Sequence, residues 1–326
     1  MKERNFWEER RVLITGADGF IGSWLARELV QKNAEVIALA KPNSNMGYLK
    51  LQGIEEKLRI AEGDIADFSA LNRIMGEYDV ESCFHLASLS IVEKSKAEPL
   101  ATFEVNVGGT WNVLEAARIN DVKGIIVAST IRAYEKNEKT FLEESDPLLG
   151  ASPYDASKAC ADIITRAYSR IYGLASAVTR CANTFGGCDL NFSRVIPLAI
   201  NSVLHGKNPE IRGDGSIERD FLYVKDAVNA YLTLGENLDR NGVKGRAFNF
   251  GTGKLTSIKG LIGKIIEISG KNNLKISFIK GGYDTEKKKQ GVSIENAGKL
   301  LNWKPKYTLD ESLKETVQWY EQYFKG

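Results

Sequence analysis

The chain has 326 residues, long for one compact core and suited to one large domain with a second lobe. Lys and Arg total 44 against 42 Asp and Glu, and a net charge of +2 gives no electrostatic case for a nucleic-acid or membrane-surface partner. The four cysteines (Cys83, Cys160, Cys181, Cys188) and two histidines (His85, His205) lack metal-ligand spacing, which argues against a zinc site or a disulfide framework. The charged opening MKERNFWEERR has no apolar signal core, and no apolar run reaches the roughly 20 residues that span a bilayer. A cytoplasmic protein with reduced thiols is the expectation.

In chain order, RVLIT (11–15) reads as a buried strand. A helix follows over 20–33, with Ile21, Leu25 and Leu29 on one face. AEVIALA (34–40) and LRIAEGD (58–64) are further strands, and a helix over 69–78 opens with Ser69 as N-cap. SCFHLAS (82–88) is a strand, a long helix runs over 99–119, and GIIVAST (124–130) is the next strand. A helix over 152–172 and the strand ASAVTRCAN (175–183) complete the alternation. Gly and Asn concentrate at 183–191, 206–216 and 250–253, read as crossings to a smaller lobe, and 308–324 reads as a final helix. Strands alternating with helices predict an α/β Rossmann fold, a doubly wound parallel sheet with ligands at the carboxyl ends of its strands. The expected division is a cofactor domain of 1–185 plus about 221–251, and an α/β C-terminal lobe of 186–220 plus 252–326.

Gly16, Gly19 and Gly22 sit in ITGADGFIG, between the first strand and first helix. Glycines there let a pyrophosphate approach the backbone, where free N–H groups and the positive helix end meet it. The second strand ends in Leu39-Ala40-Lys41-Pro42-Asn43-Ser44, without a carboxylate for the ribose hydroxyls of NAD. Lys41 with Ser44 suits a 2′-phosphate, so the cofactor is NADP or NAD with NADP favoured. Tyr154 and Lys158, four apart in SPYDASK, share a helix face. A neighbouring ammonium is expected to lower the phenol pKa and make a general base. Thr130, ending the fifth strand, can bond the same substrate hydroxyl.

ITGADGFIG, Gly63-Asp64, HLAS, VNVGGTWNVLEAA, STIRAY, YDASK and RGDGSIERDFLYVKDAV occur in the order found in extended short-chain dehydrogenases/reductases acting on nucleotide sugars. The chain resembles that family over nearly its whole length. NFWEERRVLITG and TFGGCDLNFSRVIP look most like CDP-glucose 4,6-dehydratases and related epimerase/dehydratases. The resemblance implies a nucleotide-diphosphate-sugar substrate and catalysis by Thr130, Tyr154 and Lys158. It puts Asp64 and Ile65 beside the adenine and Ala87 along the cofactor, with Phe20, Ile21, Leu86, Ser88 and Cys181 also in that site. Asn183 would approach the sugar or its phosphates, and Arg219 the diphosphate. Asn191, Ser193, Arg194 and Arg212 are candidate contacts of the substrate lobe, whereas Asn106 and Asp226 read as structural. The family's C-terminal phosphate-binding arginine has no obvious counterpart in TEKKKQGVS, where Lys288 or Lys289 is the nearest substitute. A homodimer is implied, formed by the helices at 99–119 and 152–172.

The sequence departs from the dehydratase pattern at one place. There the catalytic Ser/Thr is typically followed by an acid that serves the elimination; this chain reads Thr130-Ile131-Arg132. Isoleucine cannot move a proton and arginine stays protonated. Epimerisation needs no such acid, so a 4-epimerase working through a 4-keto sugar is the expected activity. Arg132 would lie at the sugar end, available to a carboxylate such as a uronate's. The alternatives are a 4,6-dehydratase recruiting Glu135 or Asp155, a net reductase consuming NADPH, and a non-catalytic NAD(P)-binding regulatory protein.

Overall fold

A computed structural model describes residues 5–134, 138–280 and 287–325. Its centre is a seven-stranded sheet, parallel throughout. From one edge to the other the strands are Ala247–Phe250, Ser176–Cys181, Gly124–Thr130, Ser82–His85, Arg11–Thr15, Glu35–Ala40 and Arg59–Glu62. Chain order reverses on either side of Arg11–Thr15, which makes the sheet doubly wound. Both faces are covered, so the strands are apolar without alternation. Val12 and Ile14 pack into one core while Leu13 packs into the other. Ile126 and its neighbours Ile125 and Val127 divide in the same way.

Six of the seven strands match the sequence reading. The seventh, Ala247–Phe250, pairs in parallel with Val178–Cys181, where the sequence reading assigned no strand and expected a crossing from 250 on. Its four residues AFNF are interrupted by Asn249, whose buried amide bonds Leu142 O at 2.9 Å while its Oδ1 accepts from Tyr134 Oη at 2.8 Å. The expected strand 175–183 is two. Ser176–Cys181 stays in the main sheet, and Asn183–Phe185 leaves it to pair with Phe221–Tyr223. The expected helix 99–119 is interrupted by a π-turn at Glu104–Gly108. The N-cap of the Phe68–Glu77 helix is Asp67, not Ser69: its carboxylate takes the N–H of Ala70 at 3.1 Å.

The Pro153–Tyr172 helix is fixed at both ends. Ser152 caps Asp155 N–H, Pro153 sits in the first turn, and Gly173 at φ 68° ends it. A third core, with Ile196, Leu261, Ile265, Leu313, Val317 and Tyr320, lies under the smaller sheets of the C-terminal half. A separate four-stranded sheet, built from Thr256–Ser257, Glu218–Arg219, Lys289–Val292 and Phe141–Leu142, buries Leu142 and Val292 in the first core. The Leu309–Tyr323 helix is closed by a Thr308/Glu311 capping box, matching the expected final helix.

Candidate active site

A cavity of about 940 Å³ opens at the carboxyl ends of the main-sheet strands. That is near the top of the roughly 300–1,000 Å³ usual for ligand sites. Its first wall is backbone. Gly16, at φ 74°, brings its Cα so close to the 86–87 peptide that a Cβ would lie 2.7 Å from Ala87 N. A Cβ on Gly22 would lie 2.0 Å from Gly16 O. The Phe20–Gln31 helix begins at Gly19 with no side-chain cap, leaving its first N–H groups to the cavity. This cradle fits the pyrophosphate of a dinucleotide.

The carboxyl end of Ser82–His85 is braced from within. The buried His85 ring contacts Thr15 Oγ1 at 2.7 Å and Thr110 Oγ1 at 3.0 Å, and Ala87 N–H donates to Thr15 Oγ1 at 3.2 Å. Burial, with the nearby Lys158 charge, pushes the His85 pKa down to about 3, so the ring is neutral. Asn106, in the π-turn, accepts from Leu89 N–H at 2.7 Å and donates to Leu89 O at 3.1 Å and Ser157 Oγ at 2.9 Å. Asn106 therefore braces the wall, as Asp226 braces the 306–307 backbone.

Lys41 and Ser44 line the cavity, but each already has a partner. Lys41 Nζ pairs with Asp64 at 2.8 Å, and Ser44 Oγ donates to Asp18 at 3.3 Å. Asp18 also takes the N–H groups of Tyr48 and Leu49, pinning the segment after the second strand. Nothing local marks that role, since the partners lie about thirty positions away.

At the other end stand Thr130, Arg132, Tyr154 and Lys158. Lys158 is buried, its Nζ donates to Ala128 O at 2.9 Å, and burial pushes its pKa down to about 8. The Tyr154 phenol is raised by burial; the charges of Arg194 and Arg132 and a hydrogen bond with Thr130 work against that rise. The expected lowering by Lys158 is not the governing effect, because the ammonium is directed to the Ala128 carbonyl. Thr130 Oγ1 accepts from Arg132 N–H at 3.3 Å, which leaves its own proton for the phenol or a substrate oxygen.

Arg132 is held by Asp155 in a two-point contact: Nε to Oδ1 at 2.7 Å and Nη2 to Oδ2 at 3.2 Å. Asp155 is 0% exposed and also accepts from Ser152 Oγ at 2.6 Å. Both Asp155 oxygens are taken up by Arg132 and Ser152, and Asp155 is not among the residues lining the cavity. Glu135 lies outside the described residues. Arg132 lines the cavity with its charge already paired with Asp155, unlike the open cation expected from sequence.

Of the other expected residues, Phe20, Ile21, Ile65, Leu86, Ala87, Ser88, Cys181, Asn183, Arg194 and Arg219 line the cavity. Asp64 stands behind Lys41. Ser193 and Arg212 are exposed and not in the lining: Ser193 bonds Asn191 Oδ1, and Arg212 lies in the outer Glu210–Arg212 strand. Arg219 Nη1 donates to the carbonyls of Glu218 and Lys287. Lys289 pairs with Glu218, so it is occupied rather than turned to the cavity. Sequence reasoning missed Asp189, which holds Arg194 at 3.1 Å and is itself tied to the final helix through Tyr320.

The family model of GDP-mannose 4,6-dehydratase matches residues 13–316. The chain belongs to this family. CDP-glucose 4,6-dehydratase of Salmonella typhimurium is 26% identical over 343 residues, covering 100% of this chain and 94% of that protein. UDP-glucose 4-epimerase of Thermotoga maritima, solved with UDP-glucose, superposes with a TM-score of 0.88 at 29% identity, covering 96% of this chain and 99% of that one. dTDP-glucose 4,6-dehydratase of Bacillus anthracis, solved with NAD, gives 0.85 at 28% identity over 97% and 98%. The GDP-mannose 4,6-dehydratase family is thus one of nicotinamide-dependent enzymes in which 4,6-dehydratases and 4-epimerases share one Rossmann fold, and both reactions fit it.

Proposed function

We propose that the protein is an NAD(P)-dependent nucleotide-sugar 4-epimerase. The observation that carries this reading is the pair Arg132–Asp155 beside a buried Ile131, where an elimination would need a proton donor. The glycine cradle, with Ala87 and Ile65, would hold the dinucleotide. A bound nicotinamide supplies hydride acceptance and return at the sugar C4. Tyr154 takes the proton of the 4-hydroxyl as the 4-keto sugar forms and gives it back on reduction, while Thr130 donates to the same oxygen. Lys158, buried beside them, supplies positive charge below about pH 8. Arg219 and Asn183 would meet the diphosphate.

NADP is favoured over NAD on the cation at Lys41, whose pairing with Asp64 leaves it at the cavity rim. Residues 1–185 and about 221–251 form the cofactor domain in this reading, and 186–220 with 252–326 the sugar lobe. The exposed Leu100 and Ile171, at 71% and 70%, with Trp111 and Ile163, suit a homodimer through the flanking helices. No helix among the described residues is long and apolar enough to cross a membrane, and a cytoplasmic location is proposed.

Purified protein incubated with UDP-, GDP-, CDP- and dTDP-hexoses and either cofactor tests the reading. A product of unchanged mass and new retention time is expected, at catalytic cofactor. Loss of one water would instead establish a dehydratase, and stoichiometric NADPH consumption a reductase.

A further inference from the structure

A second cavity, of about 340 Å³, lies at the sheet edge formed by Ala247–Phe250, between the far half of the Pro153–Tyr172 helix and the Glu295–Leu301 helix. Arg170 is sixteen residues beyond Tyr154 in that helix, roughly 24 Å along its axis. The catalytic site therefore does not extend there.

Four arginines, Arg166, Arg170, Arg180 and Arg246, line it. Two carboxylates answer them, and both are engaged by inward contacts. Asp162, fully buried, accepts from Arg166 Nε and from Arg180 Nε and Nη2. Glu144 is taken up by Asn249 N–H at 2.8 Å and Asn296 Nδ2 at 2.7 Å. Arg180, only 1% exposed, spends its remaining bonds on Tyr134 Oη and Glu144 O. Among the described residues Arg166 pairs only through Nε, with Asp162, which leaves its terminal nitrogens to the cavity it lines. Arg170 and Arg246 have no ion-pair partner among the described residues. Guanidinium donors thus outnumber the acceptors the protein supplies, around a space large enough for a small ligand.

We propose that this cavity is a binding site for a phosphate-type oxyanion, held by Arg166, Arg170 and Arg246. Planar guanidinium forks match a tetrahedral oxyanion in two-point contacts, which ammonium groups cannot reproduce. Arg180 and Asp162 form the rigid floor that orients Arg166.

The test is inorganic phosphate titrated at constant ionic strength, with NAD and UDP present to fill the catalytic cavity, and thermal unfolding as readout. Saturable stabilisation is expected for the wild-type protein and for Arg219→Ala. In Arg170→Ala/Arg246→Ala the half-saturating phosphate concentration should rise at least tenfold. No stabilisation of the wild type, or a response unchanged in the double variant, overturns the proposal, as does a response lost in Arg219→Ala alone. Should the double variant fail to fold, tungstate-soaked wild-type crystals decide. An anomalous peak between Arg170 and Arg246 is expected, and tungstate bound solely in the glycine cradle refutes the site.

Discussion

At its cofactor end the cavity is walled by main chain: Gly16, the uncapped start of the first helix, and the Ala87 peptide behind them. At its other end it is walled by side chains held by other side chains, Arg132 by Asp155 and Arg194 by Asp189. A backbone wall tolerates change in the side chains around it but none at the glycines. A side-chain wall keeps its shape under substitution while its chemistry changes.

The largest expected effect is at the side-chain end. Tyr154→Phe removes the proposed proton carrier and should lower turnover about 10²- to 10⁴-fold with cofactor affinity nearly unchanged. Steady-state rates with a cofactor titration check the split; a matching loss of cofactor binding would blur the two ends into one. At the backbone end, Gly22→Ala sets a Cβ against Gly16 O and forces the turn open. A cost of about 1–3 kcal/mol should appear as about 5- to 150-fold weaker cofactor binding, by fluorescence titration.

His85 joins the two ends, and its effect is one of pH. Its folded pKa, near 3, lies below the ordinary 6.5. The unfolded chain thus binds more protons between those values, so stability rises with pH across that window. The contribution is complete above about 6.5 and lost as pH falls toward 3, and is worth a few kcal/mol. Urea unfolding from pH 4 to pH 7 should show a flatter acid limb for His85→Gln than for the parent. The smallest effect belongs to Lys41→Ala. Its exposed pair with Asp64 contributes under about 1 kcal/mol to stability. NADP affinity should nonetheless fall more than NAD affinity, and equal losses would remove the basis for preferring NADP.

Legibility in the sequence follows the same contrast. The parallel sheet was readable because strands buried on both faces are continuously apolar, and the glycine turn because its function is a local backbone shape. Tyr154 and Lys158 were readable because a four-residue helical spacing is local too. Arg132 was visible as a cation, but its meaning depends on Asp155, 23 residues downstream, and no pattern joins them. The short strand Ala247–Phe250 escaped because its Asn249 looks like a loop residue until Tyr134, Leu142 and Glu144 surround it. Ser69 and Asp67 are both good caps two positions apart, and the backbone geometry that chooses Asp67 is not written in the residue types.

In the proposed reaction hydride leaves and returns at C4 while the C6 oxygen stays. Running the reaction to completion in deuterium oxide, with the nucleotide sugar the panel identifies, and weighing the product tests it most directly. An isomer of unchanged mass with no carbon-bound deuterium is expected. A product lighter by one water and carrying solvent deuterium would contradict it, and would mean that elimination proceeds without a proton donor at Ile131 or Arg132.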